Sequence, residues 1–323
     1  MVILRERIFG DVKYFYLEKS IRAGRKVLKI SKFIGKQNEI SKDKLGEEIK
    51  KFVLEADGRA IKSKVNFLKK RIISLEYPIT WHEVEKIEEM NFKYYEIINN
   101  LGNENISDLK KRFIANFVFE SNAIEGNSLT LKNYAEIIFE NRISKGADFR
   151  EVYDAKNSYN TFSWLFKIRR GIDESLIINI HKNLMKNIDS RVGYKALPNI
   201  ILGSKLKLSP PEKVKIEMKN LISWYGEQKD KMYPLELAFK FHHKFEKIHP
   251  FSDGNGRVGR MLLNYVLLRA GYFPIIIRKT QRQRYLKGLQ EADLKSYIPL
   301  IRFGLEKYKE TYRKFFEIYY KYV

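Results

Sequence analysis

His249-Pro250-Phe251-Ser252-Asp253-Gly254-Asn255-Gly256-Arg257-Val258-Gly259-Arg260 joins two amphipathic segments, whose spacing predicts helices over about 234–248 and 256–270. Pro250 has no N–H and disfavours the right-handed helical region at the residue before it. The first helix is therefore expected to stop at His249 and project the imidazole from its end. Phe251 is the apolar anchor of the loop, and Asp253 is a hard oxygen donor of the kind that holds Mg²⁺. Gly254-Asn255-Gly256 tolerates positive φ, so successive backbone N–H groups can converge on one anion. The helix that follows adds unpaired N–H groups and the positive end of its dipole. Arg257 and Arg260 are three apart, on one helical face, and each guanidinium can fork onto phosphate oxygens. Taken singly, these are a helix cap, a turn and a solvated pair of arginines. Together they describe a nucleotide-polyphosphate site with a general base at its edge. The GxxxxGK[ST] phosphate loop is absent.

These twelve residues resemble the Fic family signature, HPFx[D/E]GNGRxxR, with every specified position filled. The resemblance extends over roughly 105–305. It implies a Fic-type helical bundle with a small β-hairpin flap. It also implies a protein adenylyltransferase that binds ATP·Mg²⁺ and transfers AMP to a Ser, Thr or Tyr hydroxyl of a target protein, itself included. By the same resemblance His249 is the base, and Asp253 holds Mg²⁺ against the α- and β-phosphates. Gly254, Asn255, Gly256 and Arg257 hold the phosphates, with Gly259 in the same nucleotide-binding set, and Arg260 pairs with the γ-phosphate. An imidazole of ordinary pKa, about 6.5, is mostly neutral and basic at pH 7, as such a role needs.

A second motif lies more than a hundred residues upstream, at Phe119-Glu120-Ser121-Asn122-Ala123-Ile124-Glu125-Gly126-Asn127. Read locally, Gly126 is a left-handed helix stop. The stretch also resembles the Fic inhibitory motif [S/T]xxxE[G/N], with Ser121, Glu125 and Gly126 at its defined positions. That resemblance implies that Glu125 pairs with Arg260 in the place of the γ-phosphate, so that ATP binds unproductively. The two readings are compatible, since the end of a helix fixes where Glu125 points. Some proteins with this motif also remove AMP, so the direction of the reaction stays open.

Residues 190–211, SRVGYKALPNIILGSKLKLSPP, change character. A β-like NIIL segment, Gly203-Ser204 and a second short strand predict a small hairpin on a helical body. It falls where the family has its flap, at 198–206. That position implies main-chain pairing with an extended segment of the target protein, with Leu202, Gly203, Ser204 and Lys205 near the nucleotide. Tyr285 occupies the place of an aromatic against adenine, and Asp293 stands where relatives often have Asn; a carboxylate accepts from the adenine amino group but cannot donate. On the helix before the loop, His242 and His243 are expected to lie one in the core and one exposed. Neither they nor His82 and His181 are assigned a metal or a catalytic role.

The remainder reads as helix, with about 42–75, 80–101, 106–124, 130–143, 149–169, 173–187, 212–226 and 281 onward carrying apolar periodicity and plausible caps. The exception is 12–35, two alternating arms around Ala23-Gly24 that predict a β-hairpin with Lys13, Lys19, Arg22, Arg25, Lys26, Lys29 and Lys32 outward. The fold class expected is all-α with two small hairpins. The parts are a basic hairpin module at 1–38, a helical region at 39–104, the Fic domain at 105–305 with an inhibitory helix at about 106–125, and a helical tail at 306–323. In 323 residues, 44% hydrophobic and 14% aromatic composition excludes wholesale disorder. The absence of cysteine removes disulfides and thiolate chemistry. With no leader-like or membrane-spanning apolar run, a cytoplasmic protein off the membrane is expected. A net charge of +23 suits polyanions. The alternatives are a nucleic-acid-binding regulator using the basic N-terminal module, with Tyr14 and Tyr16 on its hairpin, or a Fic-fold transferase of another phosphate-containing group. A homodimer built through residues 1–100 is a further expectation drawn from resemblance.

Overall fold

The computed structural model describes residues 2–23, 26–143, 145–199 and 208–319. The chain forms two compact units, Met1–Ile73 with Thr80–Asn99, and Ser74–Ile79 with Asn100–Val323.

The first unit is a three-stranded antiparallel sheet, β1 (Val2–Phe9), β2 (Val12–Ala23) and β3 (Lys26–Lys36), with two helices, α1 (Lys42–Lys69) and α2 (Trp81–Asn100). The sequence reading stopped at a β2–β3 hairpin. The additional strand β1 pairs with β2 through a two-residue turn in which Gly10 takes φ +61°. Alternation along β2 puts Phe15, Leu17 and Lys19 on the inner face, where Leu17 packs on Phe52 and Ala56 of α1. Lys19 is therefore not outward, as expected from the hairpin, but buried, and it donates to Asp57 of α1 and, at 2.8 Å, to Glu96 of α2. Helix α1 starts where Ser41 accepts from the Lys44 N–H at 3.3 Å. It stops six residues short of the expected end.

The second unit is helical among its described residues: α3 (Asn103–Ile124), α4 (Leu131–Phe139), α5 (Phe149–Lys167), α6 (Glu174–Met185), α7 (Pro211–Gln228), α8 (Pro234–Ile248), α9 (Asn255–Arg269), α10 (Arg282–Asp293) and α11 (Ile298–Tyr319). Thr130 opens α4 with a capping box closed by Asn133, and Asp148 and Asp173 cap α5 and α6. Helices α8 and α9 are buried over most of their length and form the centre of the unit, with Phe239, Phe241, Phe245, Met261 and Leu262 wholly buried. The boundary expected at 305/306 falls inside α11. Residues 200–207, which include Leu202, Gly203, Ser204 and Lys205 of the expected flap, lie outside the described residues. Among the described residues no helix is long and apolar enough to cross a membrane.

Candidate active site

Helix α8 ends at His249, whose N–H closes the last turn onto the Phe245 carbonyl at 3.0 Å. Pro250 drives His249 out of the right-handed region as expected, but the residue enters the left-handed one (φ +50°, ψ +60°) rather than the extended one. Burial, reinforced by the Lys195 ammonium and opposed by the Glu246 carbonyl, lowers the His249 pKa to about 4. The imidazole is thus neutral at pH 7, and a weaker base than a free one.

The loop that follows is pinned from several sides. Phe251 is wholly buried and stacks on His181 with centroids 3.9 Å apart and planes 4° apart. His181 Nε2 donates to the Asp253 carbonyl at 3.2 Å, and burial lowers its pKa to about 4. The Lys195 N–H donates to the Pro250 carbonyl at 2.8 Å, and Asn199 Nδ2 to the Phe251 carbonyl at 2.8 Å. The side chain of Asn255 is spent on the loop itself: Oδ1 accepts from the Phe251 N–H at 2.9 Å and Nδ2 donates to the Phe251 carbonyl at 2.8 Å. Its expected share in holding phosphate is thus left to its backbone N–H.

Of the three loop residues expected to tolerate positive φ, only Gly254 (+77°) adopts it. Helix α9 begins at Asn255, so the first N–H groups of the helix face the loop without intrahelical partners. Gly256 is helical and needed for space, since a Cβ there would lie 2.2 Å from Glu125 Oε1. Gly259, expected in the nucleotide-binding set, has a packing role in the fold. It faces α8, where a Cβ would lie 2.2 Å from Glu246 Oε1 and 3.0 Å from His242, so its task is the close crossing of two helices.

Asp253 sits at the mouth of the loop, its Oδ1 accepting the Gly254 N–H at 2.5 Å and its Oδ2 paired with Arg150 of α5. Arg257 is buried and paired with Asp154 of α5. Arg260 is only 3% exposed and engaged through two of its nitrogens: Nε donates to Ser121 Oγ at 2.9 Å, and Nη2 donates to the Ser121 carbonyl at 2.8 Å and pairs with Glu125 Oε1 at 2.8 Å. Glu125 is the C-cap of α3. Gly126 (φ +104°) stops the helix, with the Asn127 N–H returning to the Asn122 carbonyl at 3.1 Å. The local and the regulatory readings of that motif thus share one geometry. Beneath Arg260 lies Glu246, whose pKa burial raises to about 8 against the pull of Arg260.

Two expected nucleotide contacts fall elsewhere. Tyr285 is 2% exposed and its hydroxyl meets His242 Nε2 at 2.6 Å, so no ring face is open to a base. Asp293 accepts from His243 Nε2 at 3.0 Å and lies 3.7 Å from the Lys247 ammonium. His242 and His243 are both buried, rather than one in and one out, because each has a hydroxyl partner inside, Tyr285 and Tyr297.

Arg150, Asp154, Lys195, Asn199 and Glu246 escaped the sequence reading. All but Glu246 lie fifty or more residues from the loop, and nothing local marks a residue that acts only through tertiary contact. Glu246 stands one helical turn before His249, and that spacing could have singled it out.

Fold and loop define a helical protein that presents an anion-receptive helix N-terminus beside a buried neutral imidazole. Residues 171–267 match the Fic/DOC family. The chain is 30% identical over 193 residues to the protein adenylyltransferase fic-1 of Caenorhabditis briggsae, a match covering 58% of this chain and 38% of that protein. It is 29% identical over 221 residues to the protein adenylyltransferase Fic of Drosophila mojavensis, 65% of this chain and 43% of that protein. The chain therefore spans about two fifths of the length of these curated relatives. Among solved structures it is similar to a Fic domain containing signaling protein from Bacteroides thetaiotaomicron, with TM-score 0.65 and 25% identity over 70% of this chain and 95% of that one. It is also similar to a Fic family protein from Desulfovibrio desulfuricans, with TM-score 0.62 and 26% identity over 75% and 76% of the two chains. The chain is thus similar to Fic domain proteins.

Proposed function

We propose that the protein transfers AMP from ATP to a Ser, Thr or Tyr hydroxyl of a protein target, and that Glu125 holds it in an inhibited state. The observation that carries this reading is the complete loop 249–260, folded with a neutral imidazole beside the free N–H groups of α9. The target hydroxyl oxygen attacks the α-phosphorus, the bond from that phosphorus to the bridging oxygen of pyrophosphate breaks, and His249 takes the hydroxyl proton. The N-terminus of α9 and Arg257, aimed by Asp154, stabilise the charge that gathers on the phosphate oxygens. Among the described residues no cluster of three or more potential metal ligands exists. A single exposed carboxylate fits Mg²⁺, which is held largely by substrate phosphates, and Asp253 would supply that carboxylate. Bound there, the ion would neutralise phosphate charge. The target's extended segment would lie along 198–206.

Arg260 supports the inhibitory role because its Nε and Nη2 donors are taken by Ser121 and Glu125. A γ-phosphate can claim the guanidinium only when Glu125 leaves. Glu125 is 44% exposed and free to swing, whereas Arg260 is locked. Replacing Glu125 by Gly is expected to raise AMP incorporation from α-labelled ATP at least tenfold, and adding His249→Ala is expected to abolish the gain, general-base loss being worth roughly 10²–10⁴ in rate. A folded Glu125→Gly protein that labels neither itself nor lysate proteins above the parent level would refute the inhibitory assignment.

A further inference from the structure

Outside the loop, the strongest unassigned feature is the outer face of the β1–β2–β3 sheet. Register and alternation place Arg5, Arg7 and Phe9 of β1, Tyr14, Tyr16 and Glu18 of β2, and Lys29, Phe33 and Lys36 of β3 on the side away from α1. Phe9 and Phe33 are 58% and 54% exposed, which is costly for a sheet face left to water. The rings form a continuous row: Phe9 to Tyr14 at 5.8 Å, Tyr14 to Phe33 at 6.0 Å and Phe33 to Tyr16 at 5.2 Å between centroids. The Arg7 guanidinium lies 4.4 Å over the Tyr16 ring.

Charge frames this row. Arg5, Arg7 and Lys29 converge on the one carboxylate of Glu18, at 3.6, 2.8 and 2.9 Å, and leave two positive charges uncompensated. Residues 1–36 carry ten Lys and Arg against three Asp and Glu. An exposed aromatic row bordered by cations suits a ligand with flat apolar faces strung on an anionic backbone. In duplexes the base faces are stacked away, so the ligand must be single-stranded. We propose that this sheet face is a binding site for single-stranded nucleic acid, with bases stacked on Tyr14, Tyr16 and Phe33 and the phosphates met by Arg5, Arg7, Lys29 and Lys36. The inference does not depend on the proposed AMP transfer.

Fluorescence anisotropy of the full chain with labelled 20-nucleotide oligo(dT) and oligo(U), against a blunt duplex of equal length, tests it across a salt series. Single strands should bind more tightly than the duplex. Tyr14→Ala and Phe33→Ala should each weaken single-strand binding about tenfold with the salt dependence unchanged, since stacking is lost and no phosphate contact is. Phe33→Trp should retain binding. Lys29→Ala with Lys36→Ala should instead flatten the slope of log K against log salt by one to two phosphate contacts, roughly 0.7 each. Unchanged melting temperatures establish that the variants are folded. The proposal is overturned if folded ring-to-Ala variants keep full single-strand affinity, or if the duplex binds equally well. It is equally overturned if the face binds only vesicles containing 30% phosphatidylserine, or only mediates self-association that Phe33→Ala abolishes in sedimentation.

Discussion

The imidazole of His249 is held neutral by its surroundings as well as by its own chemistry. Burial is the main cause and the Lys195 ammonium adds to it, so protonation is displaced to about pH 4. A base must be unprotonated to work, and a depressed pKa keeps it so far into acid. In the Glu125→Gly protein, kcat/KM for AMP transfer should therefore stay flat from pH 8 down to pH 5. An acid limb with an apparent pKa near 6.5, the value of a free imidazole, would show that the side chain is solvated in the working enzyme. The chemistry of these side chains could be read from sequence because it is local. Pro250 stops a helix, Gly254 turns a chain and Arg257 carries a charge wherever they occur. What could not be read is how each side chain is spent. Asn255 looks like a phosphate ligand until the Phe251 backbone, four residues back, takes both ends of its amide.

At the scale of elements, the crossing of α8 over α9 sets the distance between the imidazole and the helix N-terminus. Gly259 is its closest point. An added methyl would overlap the end of the Glu246 side chain, which is partly exposed, and crowd the wholly buried His242 ring, which has little room to retreat. Gly259→Ala should cost about 1–3 kcal/mol, as overpacked cores do, measured by urea unfolding with an unchanged m-value. An alanine that left stability untouched would mean that the helices part easily and that the crossing does not fix the site. The elements themselves were legible, the limits of α3 to α9 lying within four residues of their expected positions, because apolar periodicity and caps at Thr130, Asp148 and Asp173 are written locally. Strand β1 was missed because Val2–Phe9 places charged residues between apolar ones on a face that never packs against a helix. Tyr285 was misplaced for the opposite reason. A tyrosine beside a nucleotide site and a tyrosine bonded to a core histidine have the same sequence signature.

Across the helical unit, buried ionisable groups tie stability to pH, and the sign follows from their directions. His181 and His249 titrate at about 4 and His242 at about 3 when folded, against 6.5 when unfolded. Between those values the unfolded chain binds more protons. Their contribution is therefore complete above pH 6.5 and lost as pH falls toward 4. Glu246 works in the other direction. Its folded pKa of about 8 exceeds the ordinary 4.5, so its contribution is complete below pH 4.5 and lost as pH rises through 8. Near pH 5.5 unfolding should thus take up about three protons at these three histidines, with buried His243 adding in the same direction, and release about one at Glu246. A net uptake of two or more gives a slope of about 3 kcal/mol per pH unit, stability falling toward acid. Glu246→Gln removes the opposing proton, so the slope should steepen to roughly 4 kcal/mol per unit, and the variant should gain most over the parent at pH 8. Calorimetric unfolding from pH 5 to 8 in both proteins measures this directly. If the two slopes coincide, Glu246 is ionised in the folded protein, and Arg260 is then a cation shared between two carboxylates, with Glu125 no longer its sole charged partner.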